Sequence, residues 1–143
     1  MKKGTILFDF AGTLVEMRPA KLSMKRSLLK RLSKKYNLGI ITGGSRTEVE
    51  NIIGKLKIRR FFSDKSIITK QDSLYSKPEP KLIRRLENSF STKRTLYIGD
   101  RLIDYKMANA AKIPFIYIGK RKLGNEQIKN SRDLNIEMIE KYL

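Results

Sequence analysis

A chain of 143 residues with 40 % apolar side chains fits one globular domain with a real core, and no apolar run in it approaches the ~20 residues of a membrane span. It contains neither cysteine nor histidine, which excludes disulfides, thiolate chemistry and the usual general base, leaving carboxylates, hydroxyls and lysines for any reaction. Its 32 Lys and Arg against 14 Asp and Glu give a net charge of +18, a field that gathers phosphates, nucleic acid and acidic surfaces without selecting among them.

The chain opens MKKGTILFDF. A basic start precedes an apolar run, but Asp9 interrupts that run and no small-residue cleavage site follows, so a cytoplasmic protein without a signal peptide is expected. Thr5–Phe10 reads as a buried strand that delivers Asp9 to a turn, with Gly12-Thr13 behind it. Pro19–Tyr36 reads as a helix: Leu22, Leu28, Leu29, Leu32 and Tyr36 recur at helical spacing, and residues 18–36 carry eight Lys or Arg and no acid. LGIIT (38–42) is the second strand and runs into Gly43-Gly44-Ser45, and a helix is expected over 47–56. SIIT (66–69) makes a short third strand, and Pro78 and Pro80 mark the start of a helix over 80–88. TLYI (95–98) is a strand ending in Gly99-Asp100, followed by a helix over 103–112. PFIYI (114–118) is a fifth strand, and a helix over 131–142 closes the chain. No repeat or linker-like stretch divides the sequence, so a single domain over residues 1–143 is expected.

Strands alternating with helices imply a mostly parallel sheet covered on both faces, and in such sheets ligands sit beyond the carboxyl ends of the strands. Asp9, Thr42 and Asp100 fall there, and Lys77 lies just before the third helix. Each alone has a plainer reading: Asp100 as a helix N-cap, Lys77-Pro78 as a turn, Thr42 as a strand end. Asp9 has the weakest such reading, because a lone carboxylate behind a buried strand is costly without a partner.

The four together, in this order and over the whole chain, resemble the haloacid dehalogenase superfamily, mostly magnesium-dependent phosphatases. Asp9-Phe10-Ala11-Gly12-Thr13 resembles its first motif, led by the nucleophilic aspartate. Thr42-Gly43 resembles the second, which binds the phosphoryl group; Lys77-Pro78 the third; and Gly99-Asp100-Arg101-Leu102-Ile103-Asp104 the fourth, which supplies metal-binding carboxylates. The resemblance implies a Rossmann-like three-layer α/β sandwich with a mostly parallel five-stranded sheet. It implies a phosphatase-type hydrolase acting on a phosphorylated substrate through an aspartyl-phosphate. Asp9 and Lys77 would be the catalytic residues, Thr42, Gly43 and Lys77 the phosphate-binding ones. Mg2+ would be held by Asp9, the Ala11 carbonyl, Asp100 and Asp104.

Ala11 departs from the pattern. It stands where the family has a second aspartate that protonates the leaving group and later activates water, help worth roughly 10²–10⁴-fold. Phosphonoacetaldehyde hydrolases resemble the chain in having alanine there, but they depend on a lysine carried by an inserted cap, and the intervals between motifs leave no room for a separate cap domain. Glu16 is a candidate substitute acid–base group, or equally a helix-start carboxylate. A chain without this acid suits acyl phosphates, aryl phosphates or phosphoanhydrides. The alternative is a catalytically impaired module of the same fold that binds nucleic acid or another polyanion, for which the +18 charge and Lys120-Arg121-Lys122 speak.

Overall fold

The computed structural model describes residues 2–143. The apolar runs become the strands of one sheet in the order β5-β4-β1-β6-β7-β8, every neighbouring pair parallel. These are β1 (Thr5–Phe8), β4 (Asn37–Ile41), β5 (Ile67–Ile68), β6 (Thr95–Gly99), β7 (Phe115–Ile118) and β8 (Glu126–Ile128). The register places Phe8 opposite Ile40 on one side and Ile98 on the other, so Asp9 leaves β1 at the level of Ile41 and Gly99, with Thr42 and Asp100 one residue further along the two adjacent central strands.

Both faces of each central strand are apolar because both are covered. Ile6, Phe8, Ile40, Leu96, Ile98 and Ile116 point into one core, shared with Leu28, Leu29 and Leu32 of α1 (Arg26–Lys35), Ile52 and Ile53 of α2 (Arg46–Lys55), and Ile136 and Ile139 of α5 (Ile136–Glu140). Leu7, Ile41, Tyr97, Phe115 and Tyr117 point into the other, against Leu82, Ile83 and Leu86 of α3 (Lys81–Phe90) and Met107 and Ala108 of α4 (Leu102–Ala110). The result is the three-layer sandwich expected from the sequence. No helix among the described residues is long and apolar enough to cross a membrane.

The expected elements are corrected in three places. The sheet has six strands rather than five: β8 is three residues long, at the sheet edge, and two of its side chains are only partly buried, so it leaves no apolar run to read. The first helix begins at Arg26, not Pro19, because residues 15–22 fold back as a small antiparallel hairpin, β2 (Val15–Glu16) with β3 (Lys21–Leu22). Leu22 therefore faces a strand partner, although its spacing continues the helical stripe. The closing helix is broken: a 3₁₀ turn at Ser131–Asp133 is followed by a fresh N-cap at Asn135, whose side chain accepts from the Met138 N–H.

The loop between β5 and α3 is tied down by Asp72. Its Oδ2 accepts from the Thr69 N–H at 2.8 Å, the Thr69 hydroxyl at 2.6 Å and the Arg46 guanidinium at 2.9 Å. Burial alone would raise this carboxyl, but the bonds from Thr69 and then Arg46 hold it below the ordinary value of 3.8. A lowered carboxyl stabilises the fold fully above its unfolded pKa, and that contribution is lost as pH falls through the folded one. Asp72→Ala is expected to cost about 1–3 kcal/mol near neutrality. The gap between variant and parent in urea denaturation should close as pH is lowered below about 4.

Candidate active site

The carboxyl ends of β1, β4 and β6 surround a cleft of about 390 Å³ lined by Asp9, Ala11, Thr42, Gly43, Lys77 and Arg101, among others. Asp9 is held at its base by a bond from its own N–H to the Ile98 carbonyl at 2.9 Å. Lys77 reaches in from the β5–α3 loop, its side chain only 8 % exposed, and donates to Asp9 Oδ1 and Asp104 Oδ1, each at 2.7 Å. Asp104 is fully buried in the first turn of α4. It also accepts from the Tyr97 hydroxyl at 3.0 Å through Oδ1 and from the Arg101 N–H at 3.2 Å through Oδ2. Asp100 accepts from the Thr13 hydroxyl at 3.2 Å.

Two glycines make this packing feasible. A Cβ on Gly12, whose φ is +87°, would lie 2.3 Å from Asp100 Oδ2, and one on Gly99 would lie 2.7 Å from the Asp104 carboxylate. Only glycine lets the two loops close on these acids.

The electrostatics follow from one ammonium among three acids. Burial pushes Asp9 up, but the Lys77 charge, then hydrogen bonds with Asp100, Lys77 and the Phe10 N–H, outweigh it and keep Asp9 below the ordinary carboxylate value. Burial first, then the hydrogen bond and charge of Asp9, push Asp100 up to about 7. Asp104 is also raised, by burial, against the pull of Lys77. One oxygen from each of Asp9, Asp100 and Asp104 lies within 4.8 Å of the others. That is a set of hard oxygen donors carrying more negative charge than Lys77 balances, which is what a divalent cation such as magnesium requires.

Thr42 stands on the opposite wall. Its Oγ1 accepts from the Gly44 N–H at 3.1 Å, which leaves its own hydrogen free to donate into the cleft. All the residues that the sequence assigns to catalysis, phosphate binding or the metal are thus brought to one place, whereas the candidate substitute acid is not. Glu16 lies in β2, half exposed, paired with Lys21 at 3.2 Å and outside the cleft lining. The carboxylate that does line the wall is Glu48, beside Arg101, Ser76 and Ile103, none of which the sequence marks out. Glu48 lies in the first turn of α2, where the Ser45 side chain caps its N–H, so an acidic residue there reads as ordinary helix capping.

Residues 24–118 match the model of the haloacid dehalogenase-like hydrolases. Among solved structures, a haloacid dehalogenase-type hydrolase of family IA, variant 3, from Entamoeba histolytica HM-1:IMSS superposes with a TM-score of 0.82 at 15 % identity, over 99 % of both chains. A subfamily IA, variant 1 hydrolase from Geobacter sulfurreducens PCA gives 0.70 at 22 % identity, over 82 % of this chain and 54 % of that one. A predicted phosphoglycolate phosphatase from Haemophilus somnus 129PT gives 0.74 at 20 % identity, over 86 % and 59 %. The chain therefore spans little more than half the length of the latter two. A comparison with curated proteins finds no match.

Proposed function

The chain belongs to the haloacid dehalogenase-like hydrolases, and from that premise we propose a magnesium-dependent phosphatase in which Asp9 is the nucleophile. The observation that carries the proposal is the Lys77 ammonium, 2.7 Å from both Asp9 and Asp104 at the base of a cleft whose far wall is Thr42 and Gly43. Lys77 keeps Asp9 ionised and offsets the charge of an approaching phosphate. The Thr42 hydroxyl and the N–H groups of the Gly43-Gly44 turn offer donors for the equatorial oxygens. Asp9 attacks phosphorus, the leaving oxygen departs with its electron pair, and water hydrolyses the aspartyl-phosphate to free Asp9 and inorganic phosphate. Mg2+, held by Asp9, Asp100 and the Ala11 carbonyl, would supply charge neutralisation between nucleophile and phosphate. Asp104, with its oxygens already bonded to Lys77, Tyr97 and the Arg101 N–H, serves by fixing Lys77.

Phosphate release from acetyl phosphate, an aryl phosphate and glycerol phosphate, with magnesium, tests this reading. Turnover of the first two and little of the third is expected, with Ala11→Asp raising glycerol phosphate hydrolysis by roughly 10²-fold as the missing acid is restored. Glu16→Gln is expected to stay within twofold of the parent, about the scatter of such assays, because Lys21 holds Glu16 away from the cleft. No phosphate release by either parent or Ala11→Asp would overturn the proposal. The second reading, a nucleic-acid-binding module, is favoured by the exposed Lys120, Arg121 and Lys122 just past β7. It predicts salt-steep RNA or DNA binding that Asp9→Asn leaves alone.

A further inference from the structure

A second cavity of about 250 Å³ opens off the cleft and shares Thr42, Gly43, Ser76 and Lys77 with it. Its inner walls are Ile41, Ile68 and Leu82, each almost fully buried, and its outer wall is Tyr75. Tyr75 is half exposed yet held in place: the Lys81 ammonium donates to its hydroxyl at 3.2 Å and lies 4.7 Å from its ring centroid. A cavity of about 150 Å³ lined by Leu, Ile and Phe takes a benzene ring, so this one has room for a two-ring group. No carboxylate lines it; its charged groups are Lys70 and Lys77.

We propose that this cavity is the leaving-group subsite and that it takes an aryl group, making the chain an aryl phosphatase; the inference rests on the phosphatase reading above. Size and apolar walls select a flat hydrophobic group, and Tyr75 offers it a ring to pack against. The absence of a carboxylic acid from its walls, and of the second aspartate at Ala11, selects the same class independently. A leaving group seated among lysines and aliphatic walls departs unprotonated. A phenol, with a pKa near 10, leaves as its anion far more readily than an alcohol, whose alkoxide is far more basic, about as basic as hydroxide. In the balanced step an Asp9 oxygen bonds to phosphorus as the phosphorus–aryl oxygen bond breaks. The electron pair goes to the phenolate, which then takes a proton from solvent. Water completes the cycle by hydrolysing the aspartyl-phosphate, and its protons go to the released phosphate and to solvent.

The test compares kcat/KM for 2-naphthyl phosphate with that for acetyl phosphate, which lacks an aryl group, in the parent, Tyr75→Ala and Leu74→Asp, Leu74 being the neighbouring residue at the cavity's outer lining. Both sites are exposed, so folding is not at stake. The expected result is a ratio of naphthyl to acetyl turnover that falls about tenfold in each variant, through KM more than kcat. Acetyl phosphate hydrolysis with a ratio that neither variant moves would overturn the subsite while leaving the phosphatase reading standing. Failure of the parent and Ala11→Asp alike to hydrolyse either compound would overturn both. A phosphotyrosyl peptide run alongside separates the two sources of aryl phosphate. Turnover above that of naphthyl phosphate points to protein-borne groups, turnover below it to small molecules, and a peptide rate unmoved by Tyr75→Ala counts against the subsite.

Discussion

Asp9→Asn is expected to lower phosphate release by on the order of 10⁴-fold or more while the fold survives. The amide cannot attack phosphorus, and nothing else in the cleft is placed to do so. Glu48 is on the wall, exposed, whereas Asp9 alone is held at the base between the Ile98 carbonyl and Lys77. Stability should change little, because Lys77 keeps its bond to Asp104 and the amide oxygen still accepts from it. Single-turnover assays with an acyl phosphate, alongside thermal denaturation, separate the two effects. A loss below tenfold with an intact fold would mean that the nucleophile lies elsewhere.

Lys77→Met is expected to be the most destabilising single change in the site. It leaves Asp9 and Asp104 buried against Asp100 with no cation, and breaking a buried pair in this way costs about 3–5 kcal/mol. For a chain of this size that is a fall in Tm on the order of 10 °C. If the acidic cluster holds magnesium as proposed, the ion binds only the folded state and should then raise the Tm of the variant more than that of the parent. Arginine is no substitute, since the Lys77 ammonium places one nitrogen 2.7 Å from both Asp9 Oδ1 and Asp104 Oδ1, a point contact that a planar guanidinium fork does not reproduce. Equal Tm values for variant and parent without magnesium would refute the picture of Lys77 as the charge that holds the cluster together.

The sequence carried the sheet and the acids because both leave local marks. Strands buried on two faces must be largely apolar, and FIYI is throughout, as are TILF, NLGII and TLYIG after a polar first residue; a carboxylate at the end of such a run has few harmless explanations. What it hid was non-local. Leu22 sits at helical spacing yet pairs with Val15, a contact visible only once the hairpin closes. Glu16 and Glu48 look alike as carboxylates near helix starts. Their difference, one paired with Lys21 outside and the other on the cleft wall, is set by how β2 and α2 are carried by the rest of the fold. The apolar cavity was equally illegible, since its walls come from β4, β5, α3 and the loop between them.

That loop joins two jobs in one segment. Tyr75 shapes a wall of the side cavity and, two residues on, Lys77 neutralises the acids. Drift in substrate range is therefore constrained unevenly. Residues 73–75 can change identity, since their side chains face the cavity or solvent, whereas insertions or deletions between Tyr75 and Lys77 would withdraw the ammonium and silence the chemistry along with the selectivity. Libraries aimed at new substrates should vary composition here and hold length fixed.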